Sequence, residues 1–296
     1  VACTPELGRP IAVATAPLPL DPGDPARGVV GRLRFMGAVS LASPAPDFGS
    51  FSSLRWTRGR LLSVADTGWW FTLTPREVKG RLVGIARARH GPLLDAGGKP
   101  FPTKDAGDAE SLTRSARGGW LVGFEQAHRI WHYPRIDRAP RPTGIDPVAM
   151  LGPMEKNHGV EALAGDERDL FLCEEAPSTG GRPNCLDGSR RIAVVPPAPI
   201  DALGGQPSDA DRLGGRTFVH FRSYSPADGQ GSAIVMIDRD GATRPLATLR
   251  PPLTLENVEG LAARRAPGGG TWLYLITDND NDPRRRLMLM KFELAG

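Results

Sequence analysis

The stretch Val258-Glu259-Gly260-Leu261-Ala262, with the apolar run Trp272 to Ile276 behind it and the acidic string Asp278-Asn279-Asp280-Asn281-Asp282 after that, decides how the chain reads. An acidic turn leads into an apolar segment of strand length, which ends in a second acidic loop. The unit recurs. Ser53-Leu54-Arg55 precedes Gly59 to Asp66, Asp108-Ala109-Glu110-Ser111-Leu112 precedes Gly119 to Glu125, and Gly159-Val160-Glu161-Ala162-Leu163-Ala164 precedes Asp169 to Glu174. The anchoring leucines at 54, 112, 163 and 261 are spaced by 58, 51 and 98 residues. The last step is about twice the others, so we place one degenerate copy around Thr217 to Tyr224, where Arg222 and Tyr224 end a strand. A period near 50 lies in the range of propeller blades, and 296 residues at that period predict a six-bladed β-propeller.

The rest of the chain reads the same way. Short apolar runs are broken by Gly, Pro, Asp and Asn with hardly a helical periodicity, which is the pattern of an all-β chain. One outer hairpin is visible where Ala233 to Ile237 turns through Asp240-Gly241 into Thr243 to Leu249. Residues 1–28 are rich in Pro, Ala and Gly, with Ile11-Ala12-Val13-Ala14 as their strand-like run, and are expected to form an arm that adds a strand elsewhere. Residues 29–296 are expected to form the propeller as one domain. A two-sheet sandwich also gives short strands and regular turns. The recurring acid, leucine, strand and acid favour the propeller, in which equivalent positions of every blade face one axis.

The formal net charge of +4 and pI near 9.2 invite a nucleic-acid reading. Of 37 basic residues five are lysines and 32 arginines, scattered rather than clustered, and the one run, Arg284-Arg285-Arg286, follows the acidic string that balances it. No nucleic-acid partner is expected, and no apolar run reaches the length of a membrane span. The chain opens at Val1 without Met, as expected if a leader has been removed or omitted. Val1-Ala2-Cys3 before Thr4-Pro5 looks like the tail of a bacterial lipoprotein signal with Cys3 as lipid anchor; a leftover cysteine is the alternative. Cys173 and Cys185 flank a turn-rich loop and are expected to pair. A periplasmic or secreted monomer fits a disulfide.

Asn157-His158-Gly159-Val160-Glu161-Ala162-Leu163-Ala164, the Asp108-Ala109-Glu110 turn and the ending Tyr274-Leu275-Ile276-Thr277-Asp278-Asn279-Asp280 together resemble the bacterial phytase-like family, also described as having esterase-like activity of phytase. Gly123-Phe124-Glu125 with His128-Arg129-Ile130, then Phe221-Arg222-Ser223-Tyr224, and the closing strand Leu287 to Leu294 extend the resemblance over nearly everything after residue 28. It implies an exported β-propeller and an association with phosphate-ester hydrolysis. The turn at Asp108 departs from the common pattern, reading Asp-Ala-Glu-Ser-Leu where Asp-Pro-Glu-Gly is frequent.

Several known chemistries are excluded. There is no Gly-x-Ser-x-Gly elbow, no phosphate loop and no His-Glu-x-x-His. The Asp278-x-Asp280-x-Asp282 string fails as an EF-hand because Pro283 stands where Gly is needed and Leu289 where Glu is needed. A calcium site of another kind would take oxygen ligands, for which Asp278, Asp280 and Glu161 are the candidates; the alternative is a loop whose Asp and Asn bond their own backbone. Glu125, His128 and His132 have metal-like spacing on a helix but read better as a strand. Glu110, Glu161 and Glu259 hold equivalent places and, with His128, are the candidate acid and base groups. Arg129, Asn157 and Arg222 are the candidate substrate-binding residues. The competing reading of the glutamates is structural, tying blades together through backbone amides. The expectation is thus a calcium-dependent hydrolase of phosphate or other small-molecule esters, with a non-catalytic binding propeller, taking a small ligand or a protein partner, as the alternative.

Overall fold

In the computed structural model, which describes residues 7–176 and 181–295, the acid and leucine unit folds as the innermost strand of an antiparallel sheet. Five such sheets stand around one axis, so the propeller has five blades rather than six. The arm supplies β1 (Arg9–Ile11) and β2 (Ala14–Leu18), followed by β3 (Val29–Val30) and β4 (Leu33–Ala42). Blade one is β5 (Phe51–Thr57), β6 (Arg60–Ala65), β7 (Trp69–Val78) and β8 (Arg81–Pro92). Blade two is β9 (Ala109–Arg114), β10 (Trp120–Phe124), β11 (Arg129–Tyr133) and β12 (Arg141–Pro142), followed by the one-turn helix α1 (Pro147–Leu151). Blade three is β13 (Val160–Ala164), β14 (Phe171–Glu174), β15 (Cys185–Asp187) and β16 (Arg190–Ile192), followed by α2 (Ala198–Asp201). Blade four is β17 (Gln206–Leu213), β18 (Arg216–Ser225), β19 (Gly229–Ile237) and β20 (Thr243–Leu249). Blade five has β21 (Val258–Arg265), β22 (Thr271–Thr277) and β23 (Leu287–Leu294).

The degenerate copy is therefore β17, and the Thr217 to Tyr224 segment is the second strand of that blade. Aligned on the inner strands, the anchor positions are Leu54, Leu112, Leu163, Ala210 and Leu261, and the 98-residue step divides into 47 and 51. Ala210 in place of leucine hid the copy. Five apolar clusters fill the five gaps between neighbouring blades, for example Leu62, Val64, Leu112 and Val122 between blades one and two. Burying both faces of every blade is what drives the sheets to close into a ring.

The ring closes through the chain ends. β4 pairs with β23, and β2 with β4, so the N-terminal segment completes blade five from outside. β1 joins β8 of blade one, so the arm gives one strand to each of two blades, with residues 12 and 13 between them. Across the closure between blades five and one, Arg264 lies 3.9 Å from the Trp56 ring centre and 4.3 Å from that of Trp272. Lys291 sits 3.2 Å from the Trp272 centre and 3.0 Å from Glu77, and burial pushes its ammonium down to about 8. Desolvated cation–π contacts of this kind contribute about 2 kcal/mol each.

Each inner strand carries a bulge at the same place. The register slips at Ser52, Glu110, Glu161, Ser208 and Glu259, leaving that residue unpaired against the second strand. A bulge bends the strand and re-aims its extra side chain. Three residues further on, the axis is plugged by Arg55 of blade one. Its guanidinium donates to the carbonyls of Leu54, Leu163, Ala210 and Leu261, four of the five anchor positions, and grips Asp209 at 2.9 Å through both terminal nitrogens. Asp209 also accepts the Leu54 and Leu261 backbone N–H groups.

Candidate functional site

On the side of the plug where the inner strands begin, two rings of side chains lie close together. The first holds the bulge residues Ser52, Glu110, Glu161, Ser208 and Glu259. The second lies at the end of each second strand. The N–H groups of Asp66, Glu125, Glu175 and Asp278 donate to the carbonyls of Ser50, Asp108, Gly159 and Asn257, each two residues before its bulge. In blade four the residue paired with Gln206, again two before the bulge, is Arg222. The second ring is thus four carboxylates and one guanidinium.

The ion pairs follow from this placement. Arg222 bridges Glu175 at 2.6 Å and Glu259 at 3.1 Å, and these acids hold its guanidinium firmly protonated. Lys104 bridges Asp108 at 2.8 Å and Asp66 at 3.1 Å, and its ammonium is likewise held protonated by those two carboxylates against the cost of burial. Glu161 is 4 % exposed, and its Oε1 is buried without a hydrogen-bond partner among the described residues. Burial, then the charges of Glu110, Glu175, Glu125 and Glu259, push its carboxyl well above the usual range. Glu110 is driven up in the same way by burial, Glu125 and Asp108. Burial raises Glu125 too, although it accepts the Gly159 N–H. Glu259 is pushed up to about 7 by burial against the pull of Arg222, and Asp278 to about 8 by burial with Glu259 and Asp66 adding to it.

Two trios bring ligand oxygens within 4.8 Å of one another: Asp108, Glu110 and Glu125, and Glu125, Glu161 and Glu175. Glu125 belongs to both. Beside them, between blades four and five, opens a cavity of about 630 Å³ lined by Arg222, Tyr224, Gln206, Asn257, Asp278 and Arg285. A larger cleft of about 720 Å³ near α1 reaches the β13–β14 turn, at the opposite end of blade three, and takes in no rim residue.

Glu110, Glu161, Glu259, Arg222 and Asp278 thus come together at this rim. The other candidates stand apart. His128 meets the Glu155 carbonyl through Nε2 at 2.9 Å, in the turn after β10. Arg129 lies in an aromatic cage 4.1 Å from the Phe124 centre and 4.6 Å from that of Trp131, and donates to the Ala106 and Ala127 carbonyls. Asn157 accepts from Gln126 on the surface. Asp280 donates its N–H to Asp278 but turns its half-exposed carboxylate to Arg285, so Asp278, Asp280 and Glu161 do not form one ligand set. His132 Nε2 is bonded to the Gly118 carbonyl and belongs to no metal-like group among the described residues.

Three rim residues escaped the reading from sequence: Glu175, Asp108 as a ligand, and Lys104. Glu174, the strand end singled out instead, faces away and accepts both nitrogens of Asn184. The Glu174-Glu175 doublet was the available signal, since adjacent strand residues point to opposite faces. The Cys173 and Cys185 sulfurs are bonded, across paired positions of β14 and β15. Cys3, the candidate lipid anchor, lies outside the described residues.

Fold and site define a five-bladed β-propeller with a buried acidic rim at one mouth of its axis. The chain belongs to the phytase-like family, described by the esterase-like activity of phytase, whose profile matches residues 46–281. Comparison with curated proteins gives no relative. Among solved structures, a thermostable family-43 glycoside hydrolase is 8% identical over 86% of this chain and 95% of its own, with a TM-score of 0.47. The cow pea hemopexin-fold protein CP4 is 8% identical over 68% and 93%, with a TM-score of 0.42. The tail fiber of Staphylococcus aureus phage P68 is 12% identical over 83% of this chain but 50% of its own length, with a TM-score of 0.43. These likenesses carry nothing about what the chain acts on.

Proposed function

We propose that the rim is the site of a divalent-cation-dependent hydrolysis of phosphate or other esters, with calcium as the cation. The observation that carries the reading is the unpartnered Glu161 Oε1, a buried acceptor among four other carboxyl groups. A lone pair left in that position costs stability unless a cation or proton takes it. The donors are all carboxylate oxygens, without His or Cys, which suits a hard cation. Glu125, Glu161 and Glu175, with Glu110 and Asp108 beside them, would hold it, and it would supply Lewis-acid polarisation of the ester oxygen and a more acidic water.

The chain's own residues supply the rest. Glu259 and Asp278, poised near neutrality by burial, are the groups able to take and return a proton at working pH. Arg222, fixed by Glu175 and Glu259, presents a positive charge at the cavity wall, where an anionic ester oxygen would be oriented. The disulfide fits an exported, oxidising location, and no helix among the described residues is long and apolar enough to cross a membrane.

Metal analysis of the exported protein, joined to a screen of phosphate and carboxylic esters with and without chelator, tests the reading. Chelator-sensitive turnover lost in Glu161→Gln and Glu259→Gln but kept in Asp280→Asn is the expected result. No turnover above background with calcium, magnesium, manganese or zinc supplied would leave a propeller that binds a ligand or protein partner without catalysis.

A further inference from the structure

The face opposite the acidic rim carries a second charged site of the other sign. Where blades one and two meet, a cleft of about 190 Å³ is lined by Arg58, Arg60, Arg114 and Arg135, with Thr57 and Trp120 among its other walls and no carboxylate. Arg58 and Gly59 form the β5–β6 turn, at the far end of β5 from its bulge, so the Arg55 plug separates this cleft from the rim. Arg135 is held by Asp137 at 2.8 Å, but Arg58 and Arg60 make no ion pair or side-chain hydrogen bond among the described residues. Arg114 donates to the Trp56 carbonyl and lies 5.2 Å from the Trp120 ring centre. Arg114 is exposed at the end of β9, and the like charges of Arg55 and Arg58 beside it are offset only in part by Asp211, already shared with Arg55.

We propose that this cleft binds a tetrahedral oxyanion, a phosphate or sulfate group, through the guanidinium groups of Arg58, Arg60 and Arg114. Guanidinium groups that line one cleft with Asp211 as their nearest carboxylate repel one another, and forked N–H donors match the oxygens of a tetrahedral anion. The cleft has room for such a group. The chemistry would be met equally by free phosphate and by the headgroup of an anionic lipid. The proposal does not depend on catalysis at the rim.

The test uses metal-free protein, so that a rim cation cannot recruit anions. Inorganic phosphate is titrated calorimetrically, and co-sedimentation is measured with phosphatidylglycerol vesicles against phosphatidylcholine vesicles. Saturable phosphate binding, weakened roughly tenfold or more in Arg58→Ser/Arg60→Ser with an unchanged thermal melt, supports a free-anion site. Binding of anionic vesicles alone, lost in the same variant, supports the headgroup as the source. In the unmodified protein, phosphate should shift the amide resonances of Arg58 and Trp120 and leave that of Gly159 at the rim unmoved. Binding of neither probe, equal binding by the variant, or shifts confined to the rim would overturn the proposal.

Discussion

Replacing Glu161 by glutamine should change the sign of its effect on stability according to whether a cation is present. The carboxylate oxygens of Glu125, Glu161 and Glu175 lie within 4.8 Å of one another. At that distance and an effective dielectric of about 20, two ionised groups repel by about 3.5 kcal/mol. The metal-free protein escapes most of this by keeping protons on the cluster, at a cost that grows as pH rises. Glutamine keeps the shape and removes the charge. At about pH 8 without metal, the Glu161→Gln variant should therefore be more stable than the parent by about 1–3 kcal/mol, a rise in Tm of about 2 °C per kcal/mol for a chain of this length. Toward lower pH, as protons return to the cluster, the two melts should converge. With calcium at about a hundred times its Kd the parent gains about 2.7 kcal/mol, the variant gains little, and the order reverses. Calorimetric melts of both proteins, metal-free and with calcium, decide it. A variant that melts well below the parent without metal at about pH 8 would refute the reasoning, because Glu161 would then be a satisfied structural group.

Metal-free stability as a whole should fall between about pH 4.5 and about pH 8. Glu259 and Asp278 have folded values raised to about 7 and about 8, so their stabilising protons are fully bound at low pH and lost as pH rises through those values. His220 works in the other window. Buried between Ser208 and Ser232 and pushed down to about 3, it contributes stability above about 6.5 that is lost as pH falls toward 3, and His220→Gln should flatten that acid limb in urea titrations. Arg55→Met should cost about 3–5 kcal/mol by leaving Asp209 buried and unpaired, whereas Arg55→Met with Asp209→Asn should recover part of it in a double-mutant cycle. Cys173→Ser with Cys185→Ser should lose about 2–4 kcal/mol, read as a lower urea midpoint, since the bond closes a short loop in a blade whose strands are three to five residues long.

The acid positions were readable and the number of blades was not, for the same reason. Glu110, Glu161 and Glu259 mark their bulges because a carboxylate before a buried run stands out in a sequence. Ser52 and Ser208 occupy the same bulges unmarked. Blade four also inverts the pattern: its interior residue is Asp209, which reaches across the axis to Arg55, and its rim residue is Arg222 where the other blades have an acid. Reading Arg222 as the end of a copy was right about the rim and wrong about the strand. Arg129 and Asn157 were drawn toward the site by their neighbours in sequence. Strand alternation and the turn after β10 send them elsewhere, one to Phe124 and Trp131 and one to Gln126.

Blade ties alone do not account for the glutamates. The bulge itself asks only for a small polar group, since Ser52 and Ser208 fill it with hydroxyls bonded to the Ser50 carbonyl and to His220. Three blades use a longer, charged side chain at that place, and the same rim adds Asp66, Asp108, Glu125, Glu175 and Asp278. Among the described residues the lysine and arginine partners of these eight carboxyl groups are Lys104 and Arg222, and each already holds two acids. Glu110, Glu125, Glu161 and Asp278 make no ion pair with a lysine or arginine among the described residues, in a chain whose net charge is +4. Every unit by which such a carboxyl is raised costs about 1.4 kcal/mol when it must ionise. A fold under no other demand sheds that cost by serine, as two of its own blades do. Keeping it at one mouth, next to a cavity with one fixed guanidinium, makes sense where a cation or a transferable proton belongs.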